Sequence, residues 1–459
     1  MKLLGPSHAA VDPQRRGAAL LLSFLVLMVI VAVVYQLNRS TSIDQQVAHK
    51  DVILARMDLA IESAFLEVAE QLLSDAELKQ AGEEEGAGGA EEEALGDLGG
   101  GGDMGEGEGS NPDSVDSQMD EWAQVAATSF DDIQLRIYIE DEERKYNILN
   151  MLNDDEELAD DAFDRVVRIL DLCREGTDAD ISYTDAEDLA RVMREHMLQR
   201  DTSALPRPAE LLSDSEEYTS LGLPLTLREF VALPPFTEGL FRDYFDRDEN
   251  RVHSIGSFLT VYTSPATGED EGEAESGAGW SVNVNTAPLA VLAGLMDSRD
   301  MSIRTWDWVL DYRNQEEELP DSEDDSEPML DEFGEEVIQK QIFDDIEELA
   351  EVPDWDGLSP EIREEVESLL RVESDVFSVF VTARYITASD KNQVYEFDSR
   401  VEQEKYERSG SHLVRTARCV LWRTDGDDGG EILPLLRWEL LDYAPLPVLD
   451  YPDDDWRRR

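Results

Sequence analysis

The first feature of the chain is a run of apolar residues close to its N-terminus. Every residue of 18–34 is apolar except Ser23, and Arg15 and Arg16 stand before this run. A helix needs roughly 17 to 25 apolar residues to cross the hydrocarbon core of a bilayer. The pattern predicts a transmembrane helix at 18–37, with its N-terminus in the cytoplasm because Lys and Arg are retained on that side.

An amphipathic pattern follows the apolar run and predicts that the helix continues. Apolar residues recur every seven positions between Val47 and Val68, which places them on one face of a helix. Together with the span, this stripe predicts one long helix from residue 18 to about 78, with a stem at 38–79. A short coiled-coil stalk has the same stripe, so both interpretations stay open.

The composition changes after the stem. The segment 80–121 is rich in Gly, Glu and Asp, and no Lys or Arg lies between Lys79 and Arg136. Such a segment has too little apolar area to offset the entropy of ordering, which predicts a disordered acidic loop. Alternating apolar residues from Ile133 to Ile139 then predict a half-buried strand within 122–145.

The region 146–371 has mainly helical periodicity. Apolar faces at 158–170 and 189–197 each predict one helix. A nine-residue echo relates 226–234 to 345–353, and each copy predicts a short capped helix that ends at a proline. The echo favours two related subdomains, although a match this short can also arise by chance.

Strand patterns return at the C-terminal end of the chain. Three runs of alternating apolar residues predict strands within 372–445: 377–385, 413–422 and 432–440. Pro434 makes the last of these an edge strand or a bulged strand. The strand near Ile133 needs a partner, so we expect these strands to pair with it and to leave a tail at 446–459.

Charge and cysteine content narrow the functional classes. The 39 Lys and Arg against 105 Asp and Glu give a formal net charge of −66, which opposes binding to nucleic acid phosphates. A solvated acidic surface is the favoured interpretation, with a salty habitat or divalent cation binding as alternatives. Cys173 and Cys419 are too few for a disulfide framework, and the sequence leaves open whether they pair.

A motif in the helical region resembles a known family. Residues 281–296 read SVNVNTAPLAVLAGLM, which predicts a short strand, a cap at Thr286 and an apolar helix face. This segment resembles the start of a helix-hairpin-helix-like unit, and the sequence of 283–287 resembles that of the K-type minor pseudopilin of type II secretion. An earlier segment with Asn147 and Asn150 resembles that family's first Asn-x-Asn motif, with one extra residue between the asparagines.

The residues before the apolar run resemble the signal of type IV pilins and pseudopilins. In that family prepilin peptidase cuts after a glycine, which here implies cleavage between Gly17 and Ala18 and a leader at 1–17. Most members have a glutamate at the fifth mature position, where this chain has Leu22. K-type minor pseudopilins commonly lack that glutamate, so the substitution fits this class.

The resemblance implies a fold, a function and a location. The fold would be α+β, with an N-terminal transmembrane and stem helix, and a pilin-like antiparallel sheet. The sheet would carry a large inserted helical domain of helix-hairpin-helix or SAM-like type, with subdomains at about 146–255 and 280–371. The protein would be a single-pass inner-membrane subunit with its bulk in the periplasm.

The implied function is a non-enzymatic minor pseudopilin that caps the tip of the type II secretion pseudopilus and supports protein export. Its partners would be I-type and J-type minor pseudopilins, other pseudopilins and prepilin peptidase. Two alternatives stay open. One is a type IV pilus-associated minor pilin or DNA-uptake subunit, and the other is a membrane-anchored periplasmic scaffold unrelated to pili.

The sequence offers little that suggests catalysis. The five histidines are scattered without a nucleophile or carboxylate at a telling spacing, and we expect no enzyme activity and no organic cofactor. K-type relatives bind calcium in acidic loops, so the resemblance makes calcium the candidate ion. The weak ligand candidates are Asp425, Asp427, Asp428 and Glu431, and a second acidic loop lies at 316–331.

Overall fold

The computed structural model describes residues 13–92, 115–153, 155–199, 226–264, 280–315, 341–386, 405, 413–424 and 430–448. The chain divides into two compact units, Met1–Leu59 and Ala60–Arg459, and we call the second unit the head. The α-helices are α1 Pro13–Glu92, α2 Glu156–Leu172, α3 Tyr183–Gln199, α4 Leu289–Leu295, α5 Ile303–Asn314 and α6 Pro360–Ser368.

The strands form one larger sheet and several two-residue pairs. Those of the larger sheet are β1 Ala126–Phe130, β2 Ile133–Asp141, β9 Val376–Tyr385, β10 Val414–Thr424 and β11 Glu431–Leu441. The short ones are β3 Tyr146–Asn147, β4 Tyr244–Phe245, β5 Arg251–Val252, β6 Leu259–Thr260, β7 Val282–Asn283 and β8 Leu370–Arg371. The predicted α+β class, with a long N-terminal apolar helix and an antiparallel sheet, is confirmed.

Helix α1 is longer than the predicted helix at both ends. It begins at Pro13, a residue type that suits the first turn of a helix. Its last residues, 81–92, fall in the segment predicted to be a disordered loop, so that prediction is wrong there. Alanine and glutamate are strong helix formers, and they outweigh the glycines in this segment. The prediction is also wrong at 115–121, where Val115 is buried, and 93–114 lies outside the described residues.

Within the head, α1 packs on the sheet through one face. Ile61, Ala64, Phe65, Val68 and Leu72 are buried, and their spacing of three and four residues places them along one side of a helix. The Phe65 ring contacts the β11 ring of Trp438 edge to face, with 5.7 Å between centroids.

The five-stranded sheet has the order β1-β2-β9-β10-β11, with antiparallel neighbours throughout. Strands β2, β9, β10 and β11 were predicted from alternating apolar residues and are confirmed. Pro434 lies in the edge strand β11, opposite a register irregularity of β10 between Val420 and Leu421, so both predicted accommodations of the proline occur. Strand β1 was missed because its sequence, AATSF, does not alternate.

The helices are inserted into the sheet between two neighbouring strands. The chain leaves the sheet after Asp141 of β2 and returns at Val376 of β9, where Asp141 pairs with Phe377. Helices α2 and α3 follow the predicted faces. Two parallel pairs flank the helices: β3 with β6 and β7 with β8. One hydrophobic core unites these elements, and the large indole of Trp306 is fully buried in it.

The two echoing segments have the same local structure. Leu227–Ala232 and Ile346–Glu351 are both 3-10 helices, whereas the sequence predicted short helices without specifying the type. Thr226 Oγ1 accepts a hydrogen bond from Arg228 N at 3.1 Å, and Asp345 Oδ1 accepts one from Glu347 N at 2.9 Å. Each segment therefore begins with a side-chain cap at the equivalent position.

Helices α2 and α4 approach each other closely at Gly294. A Cβ atom at Gly294 would overlap Ile169 Cγ1 and would lie 3.1 Å from the Ile169 backbone nitrogen. Arg168 Nε donates to the Gly294 carbonyl at 2.9 Å, and Arg165 Nε donates to the Leu295 carbonyl at 3.1 Å. Two arginines of α2 thus satisfy carbonyls at the C-terminal end of α4.

The two cysteines do not pair. Cys173 at the end of α2 and Cys419 in β10 are both free and buried. Burial raises the pKa of each thiol to about 12, which keeps both in the unreactive protonated form at neutral pH.

Candidate functional site: a buried charged junction

Six consecutive charged residues, Glu140 to Lys145, are buried where the chain leaves the sheet for the inserted helices. The last five of them are Asp141, Glu142, Glu143, Arg144 and Lys145. The most exposed of them, Arg144, has only 6% of its surface accessible. Buried charges are costly unless each is paired and hydrogen-bonded. We call these five residues the charged junction.

Glu142 links the larger sheet to the segment inserted between β2 and β9. Its Oε1 accepts hydrogen bonds from Lys145 Nζ and from Arg418 Nη2 of β10, both at 2.7 Å. Thr260 Oγ1 of β6 donates to Oε2 at 2.5 Å, and Ser378 Oγ of β9 donates to Oε1. Burial opposes ionisation of Glu142, but the charges of Lys145 and Arg418 outweigh it and lower the pKa of the carboxyl to about 2.

Glu143 makes a second set of hydrogen bonds, to residues that lie between β2 and β9. Its Oε1 accepts from Ser264 Oγ at 2.5 Å and from Arg371 Nη1 at 2.9 Å, and its Oε2 accepts from Asp375 N at 2.5 Å. Its backbone carbonyl accepts from Asn283 N at 2.8 Å. Burial raises the pKa of Glu143 although the Arg371 guanidinium opposes this shift.

Asp141 joins the junction to the motif predicted at 283–287. Thr286 Oγ1 and Ser374 Oγ donate to Asp141 Oδ2 at 2.5 and 2.6 Å, and Glu143 N donates to Oδ1 at 2.7 Å. Burial raises the pKa of Asp141 to about 6, because the three hydrogen bonds compensate only in part for the lost hydration.

The asparagines of both predicted motif copies are buried and act in pairs. Asn283 Oδ1 accepts from Asn285 N at 2.8 Å, and Asn147 Oδ1 accepts from Leu149 N at 2.9 Å. The side-chain amides of Asn285 and Asn150 each bind both backbone groups of one distant residue: Phe343 and Trp280, respectively. The extra residue between Asn147 and Asn150 therefore leaves both roles intact.

The raised pKa of Asp141 predicts a specific pH dependence. The folded state holds this proton more tightly than the unfolded chain, in which the aspartate pKa is near its ordinary value of 3.8. The resulting stability is therefore complete at low pH and is lost as the pH rises through about 6. Asparagine resembles the protonated carboxyl. As the pH rises from 4 to 7, we therefore expect the free energy of unfolding to fall by on the order of 1–3 kcal/mol more in wild type than in Asp141→Asn.

Urea unfolding of both proteins at pH 4, 5, 6 and 7 measures this difference. Asp188→Asn is the matched control, because Asp188 is exposed on α3 and pairs there with its helix neighbour Arg191. The control should follow the wild-type pH dependence. If the free energy of unfolding depends on pH in the same way in wild type and in Asp141→Asn, the raised pKa of Asp141 is contradicted.

A small cavity adjoins the junction. It has a volume of about 30 Å³, and its lining includes Glu142, Asp243, Arg418 and Tyr443. A buried water needs about 10–15 Å³ and two or more polar partners, so this space suits one or two water molecules. The cavity is too small for an organic substrate, and the junction carboxylates beside it are held by structural hydrogen bonds.

Three other carboxylates form a cluster with the spacing of a cation site. Asp75, Asp116 and Asp120 each place one oxygen within 4.8 Å of the others. Arg423 already lies among them, with Nη2 2.7 Å from Asp116 Oδ2 and Nη1 3.2 Å from Asp75 Oδ2. Asp120 accepts hydrogen bonds from Ser117 and Trp122. The guanidinium supplies the positive charge that an ion would bring, so this donor set does not fit calcium.

The calcium candidates from the sequence stay a prediction. Asp425, Asp427, Asp428 and the loop 316–331 lie outside the described residues. Glu431 begins β11 and pairs with Thr424 of β10. A Cβ atom at the neighbouring Gly430 would lie 3.1 Å from Leu73 Cδ1, which places this end of the hairpin against α1.

The predicted processing residues lie in a helix. Gly17 and Ala18 belong to α1, and their side chains lie outside the described part of that helix. The residues that follow are exposed and apolar, as at Leu22 and Val34. Among the described residues, Leu21–Asp75 is the one helix long and apolar enough to cross a membrane.

Sequence reasoning missed the charged junction. A run such as DEERK normally marks a solvated surface, and the partners that bury it lie far away in the chain. Ser378, for example, follows Glu142 by 236 positions. The only local signal was the position of the run, directly after an apolar strand.

Comparisons with known proteins found a likeness among solved structures. No family model matches the chain, and no curated protein matches it. Among solved structures, the chain is similar to a chain in the crystal structure of the GspK-GspI-GspJ complex from the type 2 secretion system of enterotoxigenic Escherichia coli. The two have a TM-score of 0.40 and 10% sequence identity, and the match covers 72% of this chain and 87% of that chain.

Proposed function

We propose that the chain is a membrane-anchored, non-enzymatic subunit of a type II secretion pseudopilus, with the role of a K-type minor pseudopilin. The observation that carries this proposal is helix α1. A single helix begins at Pro13, contains Gly17 behind two arginines, continues as an exposed apolar segment, and includes the buried face from Ile61 to Leu72. One helix that serves first as an anchor and then as a packed stem suits a pilin-like subunit.

The use of polar residues in the head supports a structural role. Glu142, Glu143 and Asp141 are fully buried and make hydrogen bonds to the sheet and to residues of the segment inserted between β2 and β9. A general acid or base must reach a substrate proton, and the adjoining cavity holds only water-sized ligands. These carboxylates fix the insertion on the sheet.

Two features favour a place at the tip of the fibre. Leu22 stands where most pilin-like subunits have the glutamate thought to meet a neighbouring N-terminal amine. The insertion between β2 and β9 also adds bulk that a subunit with nothing stacked above it can carry. In this proposal, I-type and J-type minor pseudopilins are the partners, the N-terminus is cytoplasmic and the head is periplasmic.

Cleavage by prepilin peptidase tests the proposal. We expect the chain to begin at Ala18 when it is produced together with the peptidase, and at Met1 when the peptidase is absent. Gly17→Val should abolish cleavage, because in the resembled family the peptidase cuts after a glycine. Gly5→Val is the matched control, since it changes another glycine of the leader and should leave cleavage complete.

N-terminal sequencing and intact mass distinguish the outcomes. An N-terminus at Met1 in the presence of active peptidase would overturn the proposal and favour an unrelated membrane-anchored scaffold. Equal cleavage of wild type and Gly17→Val would place the cut elsewhere. Retention of DNA by the purified protein at low salt would instead favour a DNA-uptake subunit.

A further inference from the structure

Strand β1 is an unusually bare edge of the sheet. It has one strand neighbour, β2, among the described strands, and all five of its residues are exposed. It contains no charged residue and no proline, although charged residues make up 31% of the chain. Proteins normally protect a sheet edge with charges, prolines or bulges, because an open edge is a template for pairing with another chain.

The register of the sheet identifies which backbone groups point outward. Ile386 N donates to Asp132 O at 2.7 Å, so the even-numbered residues of β2 direct their backbone groups toward β9 and the odd-numbered ones toward β1. In an antiparallel pair these directions alternate. Thr128, which pairs with Leu135, therefore bonds to β2, whereas Ala127 and Ser129 present their N–H and C=O groups on the outer edge.

The side chains of β1 extend an apolar face of the sheet. Phe130 pairs with Ile133, and Thr128 pairs with Leu135. Side chains of paired residues share one face, and Ile133 and Leu135 are buried in the head. Phe130 nevertheless has 63% of its surface exposed. One more strand would continue the face and cover this ring.

Charge indicates what kind of strand would bind. Each copy of the chain carries a formal net charge of −66, and two such copies repel each other. The turn between β1 and β2 adds two aspartates, Asp131 and Asp132, at one end of the edge. A segment with basic ends would meet favourable charge there, whereas a second copy of this chain would not.

We propose that the outer edge of β1 is a docking site for an extended segment of a different protein, uncharged or basic, which adds to the sheet as a sixth strand. Its backbone hydrogen-bonds to Ala127 and Ser129, and its alternate apolar side chains cover Phe130 on the buried face. This mode of binding is β-augmentation. The inference goes beyond the proposed function and does not depend on it.

A model strand tests the site directly. The probe is a fluorescent nine-residue peptide of alternating threonine and valine with a lysine at each end, added to the full-length protein in detergent. We expect saturable binding by fluorescence anisotropy. The same peptide with glutamate at each end should bind about tenfold more weakly, and N-methylation of alternate peptide amides should remove binding.

Two variants connect binding to this edge. Ser129→Pro removes an outward N–H and places a ring carbon where the partner's carbonyl would lie, while the bonds of Thr128 to β2 remain. It should weaken the lysine peptide about tenfold or more. Ser129→Ala is the matched control, because it keeps the N–H and should bind like wild type. The unfolding midpoints of both variants report whether the sheet is intact.

Three results would overturn the proposal. They are no saturable binding up to about 1 mM peptide, equal binding by wild type and Ser129→Pro, and a wild-type dimer that Ser129→Pro dissociates. The last result would assign the edge to a second copy of the chain. If Ser129→Pro fails to fold, binding of the methylated and unmethylated peptides to the wild-type protein is compared instead, and equal binding would overturn the proposal. The N-terminal sequence of the mature chain is independent of all these outcomes.

Discussion

Glu142→Ala is expected to destabilise the head by about 3–5 kcal/mol, the typical cost of removing one partner from a buried ion pair. The substitution leaves the fully buried ammonium of Lys145 with Glu140 alone, at 2.7 Å. It also removes the carboxylate that holds Arg418, and it leaves the hydroxyls of Thr260 and Ser378 without that acceptor. Urea unfolding followed by tryptophan fluorescence measures the change in free energy.

Two further variants serve as comparisons. Glu142→Gln keeps a polar side chain of the same length but removes the negative charge, so its cost in free energy of unfolding should lie between zero and that of Glu142→Ala. Asp188→Ala breaks an exposed ion pair with Arg191, and it should cost less than about 1 kcal/mol. A cost for Glu142→Ala no larger than that of Asp188→Ala would show that the charged junction does not hold the head together.

Gly294→Ala is expected to cost about 1–3 kcal/mol, although alanine is the better helix former. In an exposed helix the change would stabilise by about 1 kcal/mol. At this position the new methyl group overlaps the Ile169 side chain and lies 3.1 Å from the Ile169 backbone nitrogen. Helices α2 and α4 must therefore separate, and overpacking of this kind costs more than the helix propensity returns.

Gly357→Ala is the matched control for this prediction. A Cβ atom at Gly357 has no atom within 4 Å, so the change should stay within about 0.5 kcal/mol of wild type. Thermal unfolding of the two variants gives the comparison. A Gly294→Ala protein as stable as the control would mean that α4 can shift away from α2 at little cost.

The sequence predicted those parts of the fold that have a strong periodic signal. Alternation located β2, β9, β10 and β11, and the 3.6-residue period located α2 and α3. Strand β1 was not predicted because it is exposed on both faces and has no alternating set of buried apolar residues. The end of α1 was placed too early because glycine content was given more weight than the helix propensity of the surrounding alanines and glutamates.

The candidate site was predictable only where a motif was present. The residues 283–287 were singled out, and Asn283, Asn285 and Thr286 are indeed buried at the junction. Their roles as hydrogen-bond partners of distant residues had no local signature. The burial of Glu142 and Glu143 depends on Arg418 and Arg371, which are brought close only by the sheet, so no pattern within DEERK could have indicated it.

The position of the insertion has a consequence for how the head folds. The pairing of Asp141 with Phe377 closes a loop across every residue between β2 and β9, and closing a long flexible loop costs entropy that grows with its length. A folded insertion holds its own two ends together, which removes most of that cost. We therefore expect the inserted helices to form first and strands β2 and β9 to pair afterwards. The charged side chains of the junction would then be dehydrated only in the last step.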